Sequence, residues 1–64
     1  MKAYSSRELM KLVEANGWEL VRVKGEHYQF KHPTKPGLLT IPHPKKDFPL
    51  RTQRSILKQA GIEE

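Results

Sequence analysis

The start of the chain has apolar residues at helical spacing, with recognisable helix signals at both ends. Residues 5–17, SSRELMKLVEANG, open with the capping-box pair Ser5 and Glu8, and Gly17 suits the left-handed position that ends a helix. Three apolar side chains recur on one side of this segment and form its predicted buried stripe: Leu9, Leu12 and Val13. The pattern predicts one amphipathic helix.

The end of the chain has the same kind of pattern. Residues 50–61, LRTQRSILKQAG, follow the loop HPKKDFP and finish at Gly61, which again suits a helix C-terminus. The side chains expected to face inward are Ile56, Leu57 and Ala60. These residues predict a second amphipathic helix.

Between the helices, three short stretches have the composition of β-strands. WELVRVK (18–24) is rich in β-branched residues, and proline follows both HYQFK (27–31) and LLTI (38–41). Gly25–Glu26 fits a two-residue type II′ hairpin turn, with glycine at the first central position. The stretch PTKPG is a loop.

The predicted order is therefore α-β-β-β-α, a small α+β fold forming one domain over residues 1–64. Short turns between the strands indicate a three-stranded antiparallel sheet. Both helices are expected on one face of this sheet, because neither helix can bury its apolar stripe alone.

The second strand places a histidine on the other face. Tyr28 and Phe30 point to one side of this strand and should face the helices, whereas His27 points to the opposite, solvent-facing side. His27 also lies at the hairpin end, next to Lys24 across the turn. We therefore predict an exposed imidazole beside a lysine.

Composition narrows the classes of partner. The 64 residues carry a net charge of +5 and a pI near 9.8, which favours a polyanion, with nucleic acid ahead of a membrane surface. The chain has no cysteine and no apolar run near the ~18 residues of a membrane span. The expected location is therefore the cytoplasm, with no membrane partner and no disulfide.

Four segments together resemble the HicA toxin family, the YcfA-like mRNA interferases of HicA–HicB toxin–antitoxin systems. They are SSRELMKLVEANGW, VRVKGEHYQFKHP, TIPHPKKD and RSILKQAGI, and they cover nearly the whole chain. The resemblance implies a fold like that of double-stranded-RNA-binding domains. It also implies a ribonuclease of mRNA whose essential histidine is His27, and a HicB-like antitoxin as partner. Glu26 stands where the family usually has a small hydroxyl residue, and Arg51 where it usually has glycine.

The chemistry of RNA cleavage requires little more than this histidine. RNA carries its own nucleophile, the 2′-OH, and an imidazole with a reference pKa of about 6.5 can remove its proton near neutral pH. His27 is thus the candidate general base, and no cofactor is needed. A metal site made of His27, His32 and His43 is a weaker alternative, because their spacing matches no common ligand motif. His32 and His43 each precede a proline and are expected to be loop or edge residues, although His43 is also a weaker candidate for contact with substrate.

Basic side chains could bind the phosphates of RNA. Lys24 and Lys31 should lie in the neighbourhood of His27, and Lys45 and Lys46 precede the last helix. A stripe on that helix has spacing i, i+3 and i+7 and consists of Arg51, Arg54 and Lys58. The candidate RNA contacts are Lys24, Lys31, Lys45, Lys46, Arg51 and Arg54.

Two functions follow from these observations. The leading hypothesis is a metal-independent endoribonuclease toxin that cleaves mRNA, arrests translation and is inhibited by an antitoxin covering the His27 face. The alternative is a non-catalytic RNA-binding module with the same fold. A purely structural subunit, whose charge serves solubility, is a weaker third possibility.

Overall fold

The predicted order of elements is confirmed in a computed structural model that describes residues 2–62. Its elements are α1 (Ser6–Ala15), β1 (Glu19–Lys24), β2 (His27–Lys31), β3 (Leu39–Pro42) and α2 (Leu50–Ala60). Strand β3 lies one residue later than predicted, because Pro42 pairs with His27 and Leu38 stays outside the ladder. Proline is tolerated there because β3 is an edge strand. No helix in residues 2–62 is long and apolar enough to cross a membrane.

Helix α1 begins with the predicted capping box. Ser5 Oγ accepts the Glu8 N–H (3.2 Å), and the Ser5 N–H donates to Glu8 Oε1 (2.9 Å). The hydrogen bond from the Ser5 backbone holds the pKa of Glu8 below its ordinary value of 4.5. Gly17 follows the helix with φ +96°, and a Cβ on it would meet the His32 ring at 2.8 Å. Glycine is therefore required here by conformation and by space.

The sheet is an antiparallel meander with the order β1-β2-β3. Gly25 in the connecting turn has φ +59°, while Glu26 does not have positive φ, as a type II′ turn requires. The β1–β2 register is interrupted between Leu20 and Arg22, which makes Val21 the extra residue of a bulge.

One face of the sheet is buried under both helices, as predicted. The core combines this sheet face with the inner faces of α1 and α2, and its members are Leu9, Val13, Trp18, Phe30, Leu39, Ile41, Phe48, Ile56, Leu57 and Ala60. Leu12, predicted in the same stripe, is only half-buried at the margin of this core. The predicted inner residues of α2 are confirmed.

A buried amide holds the N-terminal segment against α2. Gln53 is fully buried, its Oε1 accepts the Tyr4 N–H (2.9 Å), and its Nε2 donates to the Lys2 carbonyl (2.5 Å). Both halves of the amide are thus satisfied, which removes the penalty of burying them. The sequence analysis did not identify Gln53, which is polar and lies three residues before the first predicted inner position, Ile56.

Trp18 contacts segments that are far apart in the sequence. Its indole Nε1–H donates to the carbonyl of Ala60 (3.1 Å), and its ring meets the His32 ring edge-on at 5.3 Å. The side chain is 1 % exposed. One residue therefore connects the α1–β1 junction, the end of β2 and the last turn of α2.

Strand β1 differs from the other two strands because all six of its residues are exposed. The apolar side chains of Leu20, Val21 and Val23 are 44 %, 52 % and 50 % exposed. The strand order makes β1 an edge strand, and because the helices cover β2 and β3 more completely, its apolar surface remains uncovered.

We expect Trp18→Ala to unfold much of the population at room temperature. Replacing a buried tryptophan by alanine typically costs about 3–5 kcal/mol, which is similar to the whole stability of a domain this small. Urea denaturation followed by circular dichroism measures the loss. Val21→Ala is the matched control, since this side chain is 52 % exposed and should change stability by less than about 0.5 kcal/mol. Equal effects of the two substitutions would contradict this account of the core.

Candidate nucleic-acid interface and histidine site

One end of the sheet, which we call the hairpin end (residues 24–27 and 43–49), holds four of the predicted functional residues: Lys24, His27, Lys45 and Lys46. The His43 N–H donates to the carbonyl of Glu26 in the β1–β2 turn (2.8 Å). The Ser6 N–H, at the start of α1, donates to the carbonyl of Lys45 (2.8 Å). The loop before α2 therefore contacts both the hairpin and α1, and both helices begin here.

His27 lies on the open face of the sheet. It pairs with Lys24 on one side and Pro42 on the other, while the next residue, Tyr28, packs against the core. The imidazole is exposed and has no hydrogen-bond partner in residues 2–62. The expectation of an exposed histidine beside Lys24 is confirmed.

The lysines predicted near His27 are at different distances from it. Lys24 is directly opposite in the ladder, where Cα atoms are about 5 Å apart. Lys31 is on the same face but four residues along β2, roughly 13 Å away. Lys31 therefore extends the basic face but does not adjoin the imidazole.

Sequence reasoning missed Arg22, which belongs to the same face. It pairs with Gln29, and Gln29 pairs with Thr40, so this row lies directly beside the row that contains His27. The signal was present: a two-residue turn that pairs Lys24 with His27 also pairs Arg22 with Gln29. The Gln29 Oε1 atom is buried and accepts no hydrogen bond in the described part of the chain.

The tertiary structure brings the loop lysines to the hairpin end, whereas the sequence analysis placed them only before the last helix. Lys45 and Lys46 are exposed, and the Lys45 Nζ lies 5.5 Å from the centre of the Phe48 ring. Phe48 is 5 % exposed and anchors this loop in the core. The lysines are thus held on a loop fixed at both sides.

The basic stripe of α2 has a different position. Arg51, Arg54 and Lys58, with Leu50 and Ser55, line a shallow open depression of about 420 Å³. They occupy the side of α2 that points away from its buried residues, and those buried residues face the sheet. The stripe and His27 consequently lie on opposite sides of the domain. Arg51, in the first turn of α2, is the member of the stripe that follows the loop lysines most closely in sequence.

His32 stabilises the structure at the other end of β2. Its Nδ1 accepts the backbone N–H groups of Thr34 (3.1 Å) and Lys35 (3.3 Å), and its Nε2 bonds the Asn16 carbonyl (3.0 Å). Because a carbonyl can only accept, Nε2 carries the proton. This histidine is far from His27, and no group of three or more potential metal ligands occurs within residues 2–62.

His43 is half-buried at the hairpin end. Its Nδ1 is 2.7 Å from Ser6 Oγ, and its ring meets the Tyr28 ring edge-on at 4.9 Å. Ser6 Oγ also accepts the Lys45 N–H (2.9 Å). Since Ser6 is only 1 % exposed, this serine–histidine pair is not accessible to a substrate as a nucleophile.

The fold and the site together define a small basic protein. On its open sheet face, an exposed histidine without a hydrogen-bond partner in residues 2–62 lies beside a lysine. The family model described as "HicA toxin of bacterial toxin-antitoxin" matches residues 6–62. The chain therefore belongs to the HicA toxin family.

A solved structure supports the same assignment. The chain is similar to one titled "Toxin-Antitoxin complex from Streptococcus pneumoniae", with 32% identity and a TM-score of 0.75. The match covers 91% of this chain and 97% of that chain. None of the curated proteins compared with the chain matches it significantly.

We expect diethyl pyrocarbonate to modify His27 before the other two histidines. His27 is exposed and has no hydrogen-bond partner in the described residues, whereas ring nitrogens of His32 and His43 are engaged. Peptide mapping by mass spectrometry over a time course measures the order. The His27→Gln protein should lose only the fastest phase. Equal or faster modification of His32 or His43 would contradict the described geometry.

Proposed function

We propose that this chain is an endoribonuclease toxin that cleaves mRNA and so inhibits translation. The observation that carries this proposal is the position of His27, exposed and opposite Lys24 on an open basic face, in a member of the HicA toxin family. A protein that only bound RNA would need the charge but not a free imidazole.

His27 acts as the general base in the proposed reaction. Its neutral imidazole takes the proton of a 2′-OH, and the resulting oxygen attacks the adjacent phosphorus. The bond from phosphorus to the 5′ oxygen breaks, and that oxygen acquires a proton from solvent. The products are a 2′,3′-cyclic phosphate and a 5′-OH.

The basic side chains stabilise the charge that develops on the phosphate. Lys24 is the nearest cation to His27 in the ladder, and Arg22 lies one row further along the same face. Lys31, Lys45 and Lys46 bind flanking phosphates, where positive charge steers and holds the strand.

Arg51 and Arg54 are candidates for a more distant contact with RNA. They line the depression on α2, on the side opposite His27. An RNA strand must therefore pass around the start of α2 to reach both surfaces. We assign them a smaller contribution to cleavage than the lysines of the hairpin end.

His27→Gln should abolish cleavage and toxicity while leaving the fold intact. Loss of one acid–base group typically lowers the rate about 10²–10⁴-fold, and an exposed side chain leaves no cavity. Single-turnover cleavage of a labelled RNA measures the rate, and a binding assay should show nearly unchanged affinity. Lys11→Gln, on an exposed position of α1, is the control. Unchanged cleavage by His27→Gln would refute the assignment, and RNA binding without cleavage by the wild type would favour a non-catalytic RNA-binding module.

We also expect cleavage to continue in the presence of a chelator. The proposed reaction uses the nucleophile of the RNA and the imidazole of His27, so no step requires a metal ion. Cleavage is compared with and without EDTA, and the product ends are identified by mass spectrometry. Full inhibition by EDTA that added Mg²⁺ or Mn²⁺ reverses, or products with a 3′-OH, would show a different mechanism.

We further propose a HicB-like antitoxin that covers the His27 face. The S. pneumoniae relative is titled as a toxin–antitoxin complex, and this chain offers a complementary surface for an acidic partner. Lys24 and Arg22 lie on the open face of β1, and Leu20 and Val23 on its other face remain about half exposed. A protein that contacts β1 can therefore bury apolar surface and neutralise charge together.

The proposed antitoxin should slow hydrogen exchange of residues 21–31 in the complex. Val23→Ser should weaken binding because it removes part of the contact, whereas Leu50→Ser should not. These positions are 50 % and 51 % exposed and lie on different elements, so they form a matched pair. Binding is measured by titration calorimetry at two salt concentrations, with weaker binding expected at high salt. An inhibited complex with an unprotected hairpin would contradict occlusion of His27.

A further inference from the structure

His43 lies one residue beyond the β3 residue that pairs with His27, and its surroundings suggest how the catalytic histidine is held in place. Its backbone N–H donates to the carbonyl of Glu26, the residue immediately before His27 (2.8 Å). Its ring is fixed by the Ser6 hydroxyl and by the Tyr28 ring. A movement of His43 would therefore be transmitted to the backbone that carries the catalytic imidazole.

Nδ1 is the ring atom through which His43 is bonded to α1. Ser6 Oγ accepts the N–H of Lys45 (2.9 Å), so its own proton is available for His43 Nδ1 at 2.7 Å. When Ser6 donates this hydrogen bond, the ring proton of His43 is on Nε2. Because Ser6 is 1 % exposed, water cannot easily replace this bond, and a lost partner would leave a buried hydroxyl unsatisfied.

His27 depends on this support because its own side chain has none. No group in residues 2–62 bonds its imidazole, and its position follows from the ladder pairs with Lys24 and Pro42 and from the turn. The turn is exposed, and only the bond from His43 links it to the 43–49 loop through the backbone.

We infer that His43 is a positioning residue for the proposed cleavage, acting through Nδ1, Ser6 and the Glu26 carbonyl rather than by acid–base chemistry of its own. This inference rests on the proposed function of His27. The hydrogen bonds from Ser6 to His43 and from His43 to Glu26 form one connection, which we call the tie. Ser6 belongs to this tie although it is buried and does not touch RNA. If His43 were instead a second catalytic histidine, it would act through the proton on Nε2.

Two isosteric substitutions separate these alternatives. Asparagine can place an acceptor near the position of Nδ1, whereas glutamine places its amide near Nε2. His43→Asn should keep kcat within about threefold of wild type, since the bond to Ser6 is retained. His43→Gln and Ser6→Ala should lower kcat about 10–100-fold with little change in KM, because misplacing a catalytic group by about 1 Å can cost about 10²-fold.

The experiment compares wild type, His43→Asn, His43→Gln, Ser6→Ala and His27→Gln in RNA cleavage at a temperature where circular dichroism shows each to be folded. A His43→Asn protein as inactive as His27→Gln would overturn the inference and make His43 a catalytic residue. Full activity of both His43→Gln and Ser6→Ala would also overturn it. If one of these two variants does not fold, the other decides.

A readout independent of cleavage distinguishes failure of the tie from failure of the proposed function. NMR should show that the His43 amide is protected from exchange in wild type and His43→Asn, and that it exchanges faster in His43→Gln and Ser6→Ala. The His27 ring resonances should shift in the latter two proteins. If wild type cleaves no RNA but these NMR differences appear, the tie stands and the proposed function fails. If the NMR differences are absent, the tie itself is wrong.

Discussion

The sheet has only one apolar face, and this constraint organises the rest of the molecule. Phe30, Leu39 and Ile41 must be covered, and the two helices cover them from the same side. Because side chains alternate along a strand, the alternate residues of these strands are turned to the other face, which no element of residues 2–62 covers. The exposure of His27 is therefore a consequence of how the core is buried.

Buried hydrogen bonds fix two segments of the chain in addition to the apolar core. The buried hydroxyl of Ser6 binds the loop before α2, and the buried amide of Gln53 binds the N-terminal residues. Both groups are satisfied by partners far away in sequence. Both segments are thus held by hydrogen bonds whose loss would leave buried polar atoms unpaired.

The positive charge is divided between two surfaces. The open face of the sheet carries Arg22, Lys24 and Lys31 together with His27. Arg54 and Lys58 lie on the outer side of α2, the helix that covers the other face of the sheet. The loop lysines lie between these surfaces at the hairpin end. This division explains why a single net charge of +5 does not describe one binding site. In the proposed function, the sheet surface supports cleavage and offers the antitoxin its contact.

Local pattern was sufficient to predict the elements, their order, the capping box of α1, the hairpin turn and the side of β2 on which His27 lies. These features depend on residues close in sequence, where spacing and backbone preference determine the conformation. Tertiary structure decided the partners of Ser6, Gln53, His32 and His43, the exposure of β1 and the separation of the α2 stripe from His27. Each of these depends on which distant segments meet and how far the helices reach across the sheet. That outcome is set by packing of the whole core, which no local pattern encodes.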